Sequence, residues 1–588
     1  MPDQLQLRGG TTSEHSSFTG VSREVTVDTT KKTLVVHDGS TAGGTPLMKE
    51  SGTTGDITIN SVTIGKGTNS VAGNTVVGES ALDASVSGGN NTAIGKNALT
   101  ALTSGTINTA VGANALLSNT TASANTAVGS ESLKTNTTGF SNTAVGDEAL
   151  KLNQTGDKNT AIGNDALLAN TTADNNTAVG TSALASNTTA SKNTALGRMA
   201  LKDNTTGQHN TGVGYYALIA NTTGTNCVAV GSQSLDANTS GTHNIGIGQD
   251  ALGANTTGSN NTAVGANALD AATTAERNTA FGRNALSAVT TGSNNVAVGV
   301  NALTASTASS NTALGDAALY TNTSGQNNIA VGRNALFLNT TGEQNTALGT
   351  YALDANTTAS ENTAVGYNAL TENSTGLENT AVGRQAMQFN TTGNYNTSVG
   401  VNCLRDNTTA SNNTSVGHAA LRENETGANN TAVGKNALVS NTTGFQNTAV
   451  GTSALDANTT AGYNTAVGYN SLTDNTTGQV NSAIGWGALQ RCSTGNNNTA
   501  FGGSALAYTT TASNNTAVGK DALLANTSGT NNTSVGSESG KTQTTANACT
   551  WIGVEAGRDN TASDNIGIGS GVMRLNTSGT RNTAVGTG

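Results

Sequence analysis

The sequence is poor in nearly everything an ordinary core is built from. Of its 588 residues, 3% are aromatic, 34% apolar and 11% charged. A typical globular domain carries about 45–50% apolar and about 25% charged residues. The several conventional domains that this length allows are therefore excluded. Proline occurs twice, and with no G-X-Y period collagen is excluded too. So little charge also excludes highly charged disorder. The net charge of −10 is spread thinly, without the basic patch that nucleic acid requires. No run approaches the ~20 apolar residues of a membrane span. The opening MPDQLQLRGG has neither the basic nor the apolar region of a secretion signal, so the expectation is a chain made and assembled in a cytoplasm. Four cysteines, Cys227, Cys403, Cys492 and Cys549, lie far apart without a CxxC. They read as packed thiols, not as a disulfide framework.

What the sequence has is a repeat. A unit N-T-A-V-G-x-x-A-L-x-x-N-T-T-G-x-x starts at Asn74 and recurs to Asn582, 31 starts in all. Of the 30 intervals, 28 are 17 residues and two are 16, Asn295 to Asn311 and Cys549 to Asn565. With the unit numbered from its Asn, position 5 is Gly in all 31 copies. An unvarying Gly marks a backbone shape or an approach that a Cβ would block. Position 9 is Leu in 26 of the 30 copies long enough to have one. The structural repeat positions are thus typified by Asn91, Gly95 and Leu99 in one copy and Asn108, Gly112 and Leu116 in the next.

Helices shorter than about 12 residues and rich in Gly, Asn and Thr are not stable. The unit reads as one coil of an all-β solenoid, with two short strands and turns. Coils about 4.8 Å apart would build a rod on the order of 150 Å long. Position 2 is usually Thr but becomes Val296, Ile245 or Ile329, an exchange natural on a half-buried pleated face. Positions 2 and 4 are expected on one face, pointing inward, and position 3 on the other. Position 3 is nearly always Ala, Gly or Ser, with Val76 and Trp551 as departures. That restriction suggests close packing by another surface. Each coil offers few apolar side chains against the entropy of ordering it, so sister chains are expected to bury the position-3 column. Stacked Asn side chains at position 1 are expected to bond along the axis. The N-T-T-G segment reads as a turn, and charged residues cluster at positions 6, 7, 10, 11, 16 and 17.

Residues 1–50 differ in composition. Alternating segments lie around Leu5 to Leu7, Val25 to Val27 and Thr33 to Val36. The stretch VTVDTTKKTLVVHDGS predicts a hairpin turning at Thr29 to Lys32, within a small β attachment module. Residues 51–73 form a Gly/Ser/Thr-rich transition, with SVTIG (Ser61 to Gly65) as an imperfect first coil. Residues 74–588 form the solenoid. Leu7 to Leu47 resembles the N-terminal module of phage tail-fibre proteins of the major tropism determinant family. That resemblance implies a trimeric β-prism-like region attached to the phage tail or baseplate. The array resembles the left-handed β-roll of trimeric autotransporter adhesin heads, with NTAVG in place of their core motif and a longer coil. Both resemblances imply a homotrimer. No counterpart of the tropism determinant's lectin-like domain is visible.

No chemistry stands out, and no cofactor or metal is expected. His15, His37, His209, His243 and His418 have no metal-ligand spacing. A glycosidase needs two carboxylates held about 5–10 Å apart in a cleft. The adjacent Asp147 and Glu148 read instead as a solvated edge. No glycine motif opens a helix to hold phosphate. Tyr215, Tyr216, Tyr351, Tyr367 and Tyr469, at positions 6 or 7, are candidates to stack on a host-surface glycan. The expectation is a non-enzymatic, homotrimeric phage tail-fibre protein resident in the virion tail. Its N-terminus would be tail-attached and its shaft would face the host. The late losses of the position-9 Leu (Gly540, Gly557, Met573) suggest self-capping coils or a separate tip protein at the C-terminal end. The alternatives are a bacterial trimeric adhesin or filament component, and an ice-binding solenoid. Inward-pointing Thr at position 2 would disfavour the last.

Overall fold

A glycine locked into every seventeenth place forces the chain to turn at the same point in every copy. The computed structural model describes residues 8–19, 21, 24–30, 33–37, 40, 42, 45–46, 49–51 and 56–588. The expected segment around Leu5 to Leu7 and the Lys31–Lys32 tip of the hairpin lie outside the described residues. The described chain forms two compact units, 1–277 and 278–588. In each, coils stack through parallel pairing of one three-residue strand per coil at positions 2–4. Thr109–Val111 pairs with Thr126–Val128 in the first unit, and Thr363–Val365 with Thr380–Val382 in the second. The register is kept across both 16-residue coils, Val296 facing Thr312 and Thr550 facing Ile566. The missing residue falls at position 14, in a turn, where the strand does not feel it.

One strand per coil, not the two expected, has a backbone cause. Position 5 is held at positive φ, 128° at Gly95, and a Cβ there would lie 2.5 Å from the Gly112 carbonyl oxygen of the next coil. Three further residues of each coil adopt the left-handed conformation: position 7 (Asn97, φ 56°), position 9 (Leu99, φ 53°) and position 17 (Ile107, φ 60°). A chain bent so often cannot run a second straight segment. Leucine in this conformation is unusual and costs about 1–2 kcal/mol. Its return is twofold. Leu99 is fully buried, and its N–H donates to the Ala115 carbonyl of the following coil at 3.1 Å. The N–H of Asn114 likewise donates to the Lys96 carbonyl of the preceding coil at 2.8 Å. The turns are therefore laddered along the axis as well as the strand.

The interior corrects the expected facing of the strand. Position 3 points into the chain's own coil. Ala93, Ala110 and Ala127 are fully buried without any partner chain. The coil is so narrow that the inner side of its strand has room for about one methyl group. Positions 2 and 4 face outward and are half-buried or exposed (Ile94, Leu196, Phe281). The rest of the core is the position-8 Ala, the position-9 Leu and two asparagines, at positions 1 and 12.

The N-terminal elements are β1 (Arg8–Gly10), α1 (Thr12–Ser17), β2 (Val25–Asp28), β3 (Thr33–Val36) and β4 (Thr45–Pro46). The β2–β3 hairpin is antiparallel, Val25 facing Val36, and β1 adds in parallel to β2. The helix is not among the elements expected from spacing, though its signal is present. Thr11 and Glu14 form a capping box, the Thr11 N–H donating to Glu14 Oε2 at 2.6 Å and the Glu14 N–H to Thr11 Oγ1 at 3.3 Å. Next come β5 (Lys49–Ser51), β6 (Asp56–Ile59), β7 (Val62–Gly65) and β8 (Thr75–Gly78). SVTIG is not a first coil. Its strand β7 pairs antiparallel with both β6 and β8, and parallel stacking begins only between β8 and β9 (Thr92–Ile94). Asp56 fixes the handover, accepting from the N–H groups of Lys66 (2.6 Å) and Gly67 (2.8 Å).

The late loss of the position-9 Leu has a packing cause. Trp551 occupies an inner position held in nearly all other coils by Ala, Gly or Ser and is fully buried. A Cβ at Gly557 would collide with its indole, and one at Gly540 would lie 3.0 Å from its Cδ1. Gly567 stands at position 3 of the next coil, again against the ring. The indole N–H donates to Gln543 Oε1 at 2.9 Å, and Gln543 stands where other coils have the position-12 Asn. These five residues exchange together. Trp551→Ala should open a cavity costing about 3–5 kcal/mol, read as faster amide hydrogen exchange across residues 532–581. Adding Gly540→Leu, Gly557→Leu and Gln543→Asn should recover most of the protection, whereas Gly557→Leu alone should worsen it.

Candidate functional site

Most coils are closed from inside by two asparagines, although position 12 departs from Asn at residues such as Leu102, Ala272 and Val289. Asn108 and Asn119 both donate their side-chain N–H to the Ala122 carbonyl at position 15, at 2.9 and 3.1 Å. Asn125 and Asn136 do the same to Gly139, both at 2.9 Å. Coils are then joined in two columns. At position 1 the backbone N–H of each Asn donates to the Oδ1 of the Asn one coil earlier: Asn91 to Asn74 at 2.8 Å, Asn108 to Asn91 at 2.9 Å. At position 12 the side-chain amides bond one another, Asn153 to Asn136 and Asn170 to Asn153, each at 2.7 Å. In the sequence this second column reads as turn only. Its recurring Asn is the available signal, but Asn suits turns equally well. Asn91 and Asn108 thus sit in the first column, Gly95 and Gly112 at the bend after the strand, and Leu99 and Leu116 in the core.

Three cysteines substitute for these asparagines. Cys227 and Cys549 stand at position 1 and point Sγ at the same carbonyl, Gly241 at 3.3 Å and Ala562 at 3.3 Å. Cys492 stands at position 12, its Sγ 3.6 Å from the Gly495 carbonyl. Cys403, at position 8, points Sγ at the Gly417 carbonyl. All four are buried and free, and burial pushes the Cys492 thiol up to about 11. They are weak donors in a buried hydrogen-bond site, not nucleophiles.

No group of three or more His, Cys, Asp and Glu suited to a metal occurs among the described residues. His209 and His243 occupy the left-handed turn position 17, and His418 lies on the outside. Asp147 and Glu148 lie beside an ion-pair cluster. Glu131 binds Lys134 and Lys151 at 2.7 Å each, and Lys151 also binds Glu148 at 2.9 Å. Hydrogen bonds from Lys134 and Lys151 hold the Glu131 carboxyl down at about 2. In the N-terminal module His37 is buried, 3.0 Å from Thr26 Oγ1 and edge-on to Phe18. Arg8 lies 5.2 Å above the Phe18 ring. These contacts tie helix α1 to the hairpin.

The functional candidates are therefore outer faces. One is the positions 2 and 4 face. Its Thr side chains point outward, so they do not count against an ice-binding surface as inward-pointing ones would. The other is the edge at positions 6 and 7, which carries the candidate tyrosines. Tyr215 and Tyr216 stack at 3.9 Å, with Arg198 5.6 Å from the first ring. Tyr351 and Tyr367 meet edge-on at 6.4 Å, with Arg333 5.0 Å over Tyr351. Tyr469 is exposed. No helix among the described residues is long and apolar enough to cross a membrane.

The described residues thus form a small mixed module followed by β-solenoid coils. Residues 5–41 match the major tropism determinant N-terminal domain, so the chain is tail-fibre-like at its head and a β-solenoid in its body. A tail fiber receptor-binding protein of Bordetella phage BPP-1 is 61% identical over 49 residues. That stretch is 8% of this chain and 13% of the relative, so the chain spans only a small part of that protein's length.

Two measurements address the interior. Asn153→Ala removes the donors to Asn136 and Gly156 and the acceptor of Asn170, and should cost about 1–3 kcal/mol. Asn153→Cys should cost less, as read by hydrogen exchange of the flanking coils. The second concerns the position-10 aspartates Asp236, Asp270, Asp354 and Asp456, whose carboxyls burial pushes up. A raised native pKa means ionisation opposes folding, so stability falls as pH rises from the ordinary value through the native one. Asp354→Asn should raise the melting temperature at pH 7. Its advantage should shrink as pH drops and vanish below about 3.8, the ordinary Asp value.

Proposed function

We propose that this protein is a structural phage tail-fibre component. Its N-terminal module attaches to the virion tail or baseplate, and its repeat array projects toward the host cell for adhesion. The observation that carries this reading is the match of residues 5–41 to the major tropism determinant N-terminal domain, joined to a stretch 61% identical to a tail fiber receptor-binding protein. On this reading it is assembled in the host cytoplasm and resides in the virion tail. A host-surface glycan along the array and a separate tip protein on the last coils belong to the same proposal.

The chain acts as a homotrimer in this reading, through a different face from the one the small position-3 residues suggest. Since position 3 is filled internally, the sister chains would cover positions 2 and 4. There Ile94, Leu196, Phe281, Leu314, Ile329 and Leu348 are all exposed. Within the second unit Phe281, Leu314, Ile329 and Leu348 recur on this face, apolar surface of the kind a partner covers. The outward Thr column supports the ice-binding alternative to a lesser degree, because Val228, Ile245, Val296 and Ile329 interrupt it.

Immunogold labelling of virions with antibody raised to residues 8–50 should decorate tails; unlabelled tails would remove the reading. Sedimentation equilibrium should find three copies per particle. Ile329→Lys with Leu348→Lys should shift the mass toward monomer. Thermal hysteresis at a level above a control protein would favour the ice-binding surface instead.

A further inference from the structure

The edge at position 6 changes character along the chain. In the first unit acids recur on it in several of the coils from Asn74 through Asn159, whereas the four coils starting at 176, 193, 210 and 227 carry none. Glu79 pairs with Lys96 at 3.2 Å, and Glu131, Asp147, Glu148 and Asp165 follow at positions 6 and 7. In the second unit the coils starting at Asn328 through Asn498 carry no Asp or Glu at either position. The acids resume only outside this window, at Asp316 before it and Asp521 after it. Inside it, position 6 presents Arg333, Tyr367, Arg384, His418, Lys435, Tyr469 and Trp486. The aromatic members are 51% (Tyr367), 52% (Tyr469) and 61% (Trp486) exposed. Among the described residues Arg333, Arg384 and Lys435 join no ion pair, and neither does Arg198 at position 6 of the first unit, whereas Lys96 pairs with Glu79.

We infer that this ridge is a lengthwise binding surface for an acidic polysaccharide. The inference rests on the host-contact reading above and names the ligand class. Exposed rings of Tyr and Trp offer apolar faces for sugar rings, with a polar tip kept wet. Guanidinium and ammonium groups without a carboxylate partner, set between them, suit the acids of a polymer, and Arg333 braces the Tyr351 ring from above. The spacing selects the polymer. Coils are about 4.8 Å apart, and Arg333, Arg384 and Lys435 stand three coils apart, so these cations recur about every 14 Å. A nucleic acid strand carries a phosphate about every 3.4 Å, too dense for this ridge. An acidic sugar chain, with carboxylates separated by uncharged rings, fits better. The segregation of charge also has no stabilising role to explain it, since surface cations without partners gain nothing from one another. Each contact is weak, and the repetition along one edge sums them.

The test uses the full chain and immobilised hyaluronate, alginate and polysialate, with neutral dextran and oligothymidylate as comparisons. At least one acidic polysaccharide should be retained, more weakly as salt rises. Tyr367→Ala, Tyr469→Ala and Trp486→Ala together should lower its affinity about tenfold or more. Arg333→Gln, Arg384→Gln and Lys435→Gln together should do the same and flatten the salt dependence. Phe140→Ala, on an exposed turn of the first unit away from this edge, should change nothing. These side chains are exposed, and circular dichroism should confirm an unaltered fold. Retention of none of the acidic polymers, equal retention of dextran, tighter binding of oligothymidylate, or full binding by the ridge variants would each overturn the inference. A fibre that labels on virions but ignores these polymers would sink the ridge and leave the tail-fibre reading intact. Binding without tail labelling would do the reverse.

Discussion

Everything in the array depends on where the backbone of each coil sends its hydrogen bonds. A 17-residue coil cannot satisfy its own peptide groups, and buried ones cannot stay unpaired. The solution is to turn the N–H groups along the axis, toward the coil before or the coil after. That requires peptide planes to flip repeatedly. The left-handed residues at positions 7, 9 and 17 and the glycine at position 5 do the flipping. Burial of a leucine side chain and an added hydrogen bond offset the cost at position 9. The two asparagines then brace the position-15 carbonyl, which lies inside and would otherwise be unmet. The core is half polar because the backbone, more than the side chains, needs satisfying.

Much of this is legible in the order of the residues. The period, the fixed glycine and the β2–β3 hairpin all come from spacing and residue type. The facing of the strand is not legible. Small residues at position 3 and Thr or Val at positions 2 and 4 suit either a methyl-wide interior or a close contact with another chain. Only the coil's width, which no local pattern encodes, separates the two. The second asparagine column is hidden for a similar reason, since Asn at position 12 serves a turn and an amide ladder alike. The Trp551 exchange is hidden because its parts lie in three different coils. Taken singly, Gly540 and Gly557 look like decay of the repeat, and only their shared contact with one indole joins them. The exposed functional edges are the least legible, because tyrosine at position 6 or 7 becomes informative only when the neighbouring charges on that edge are known.

Interior and exterior therefore evolve under different rules. Inside, some replacements meet the same carbonyl, as Cys227, Cys492 and Cys549 do, and others at position 12 are simply apolar, as Leu102, Ala272 and Val289 are. A change is also tolerated when neighbours shrink in step, as around Trp551. Deletions are confined to position 14, where the register of the strand is untouched. Outside, positions 6, 7, 10 and 17 accept nearly any residue. A scaffold of this kind keeps its fold while its surface is rewritten coil by coil.

The asparagine column at position 1 also has a direction. In each pair the later residue gives its backbone N–H to the side-chain oxygen of the earlier one, as Asn108 does to Asn91. Every coil thus offers its successor in the chain an acceptor, while other N–H groups, such as that of Leu99, reach forward to the coil that follows. The stack therefore has a polarity that matches the order of the sequence.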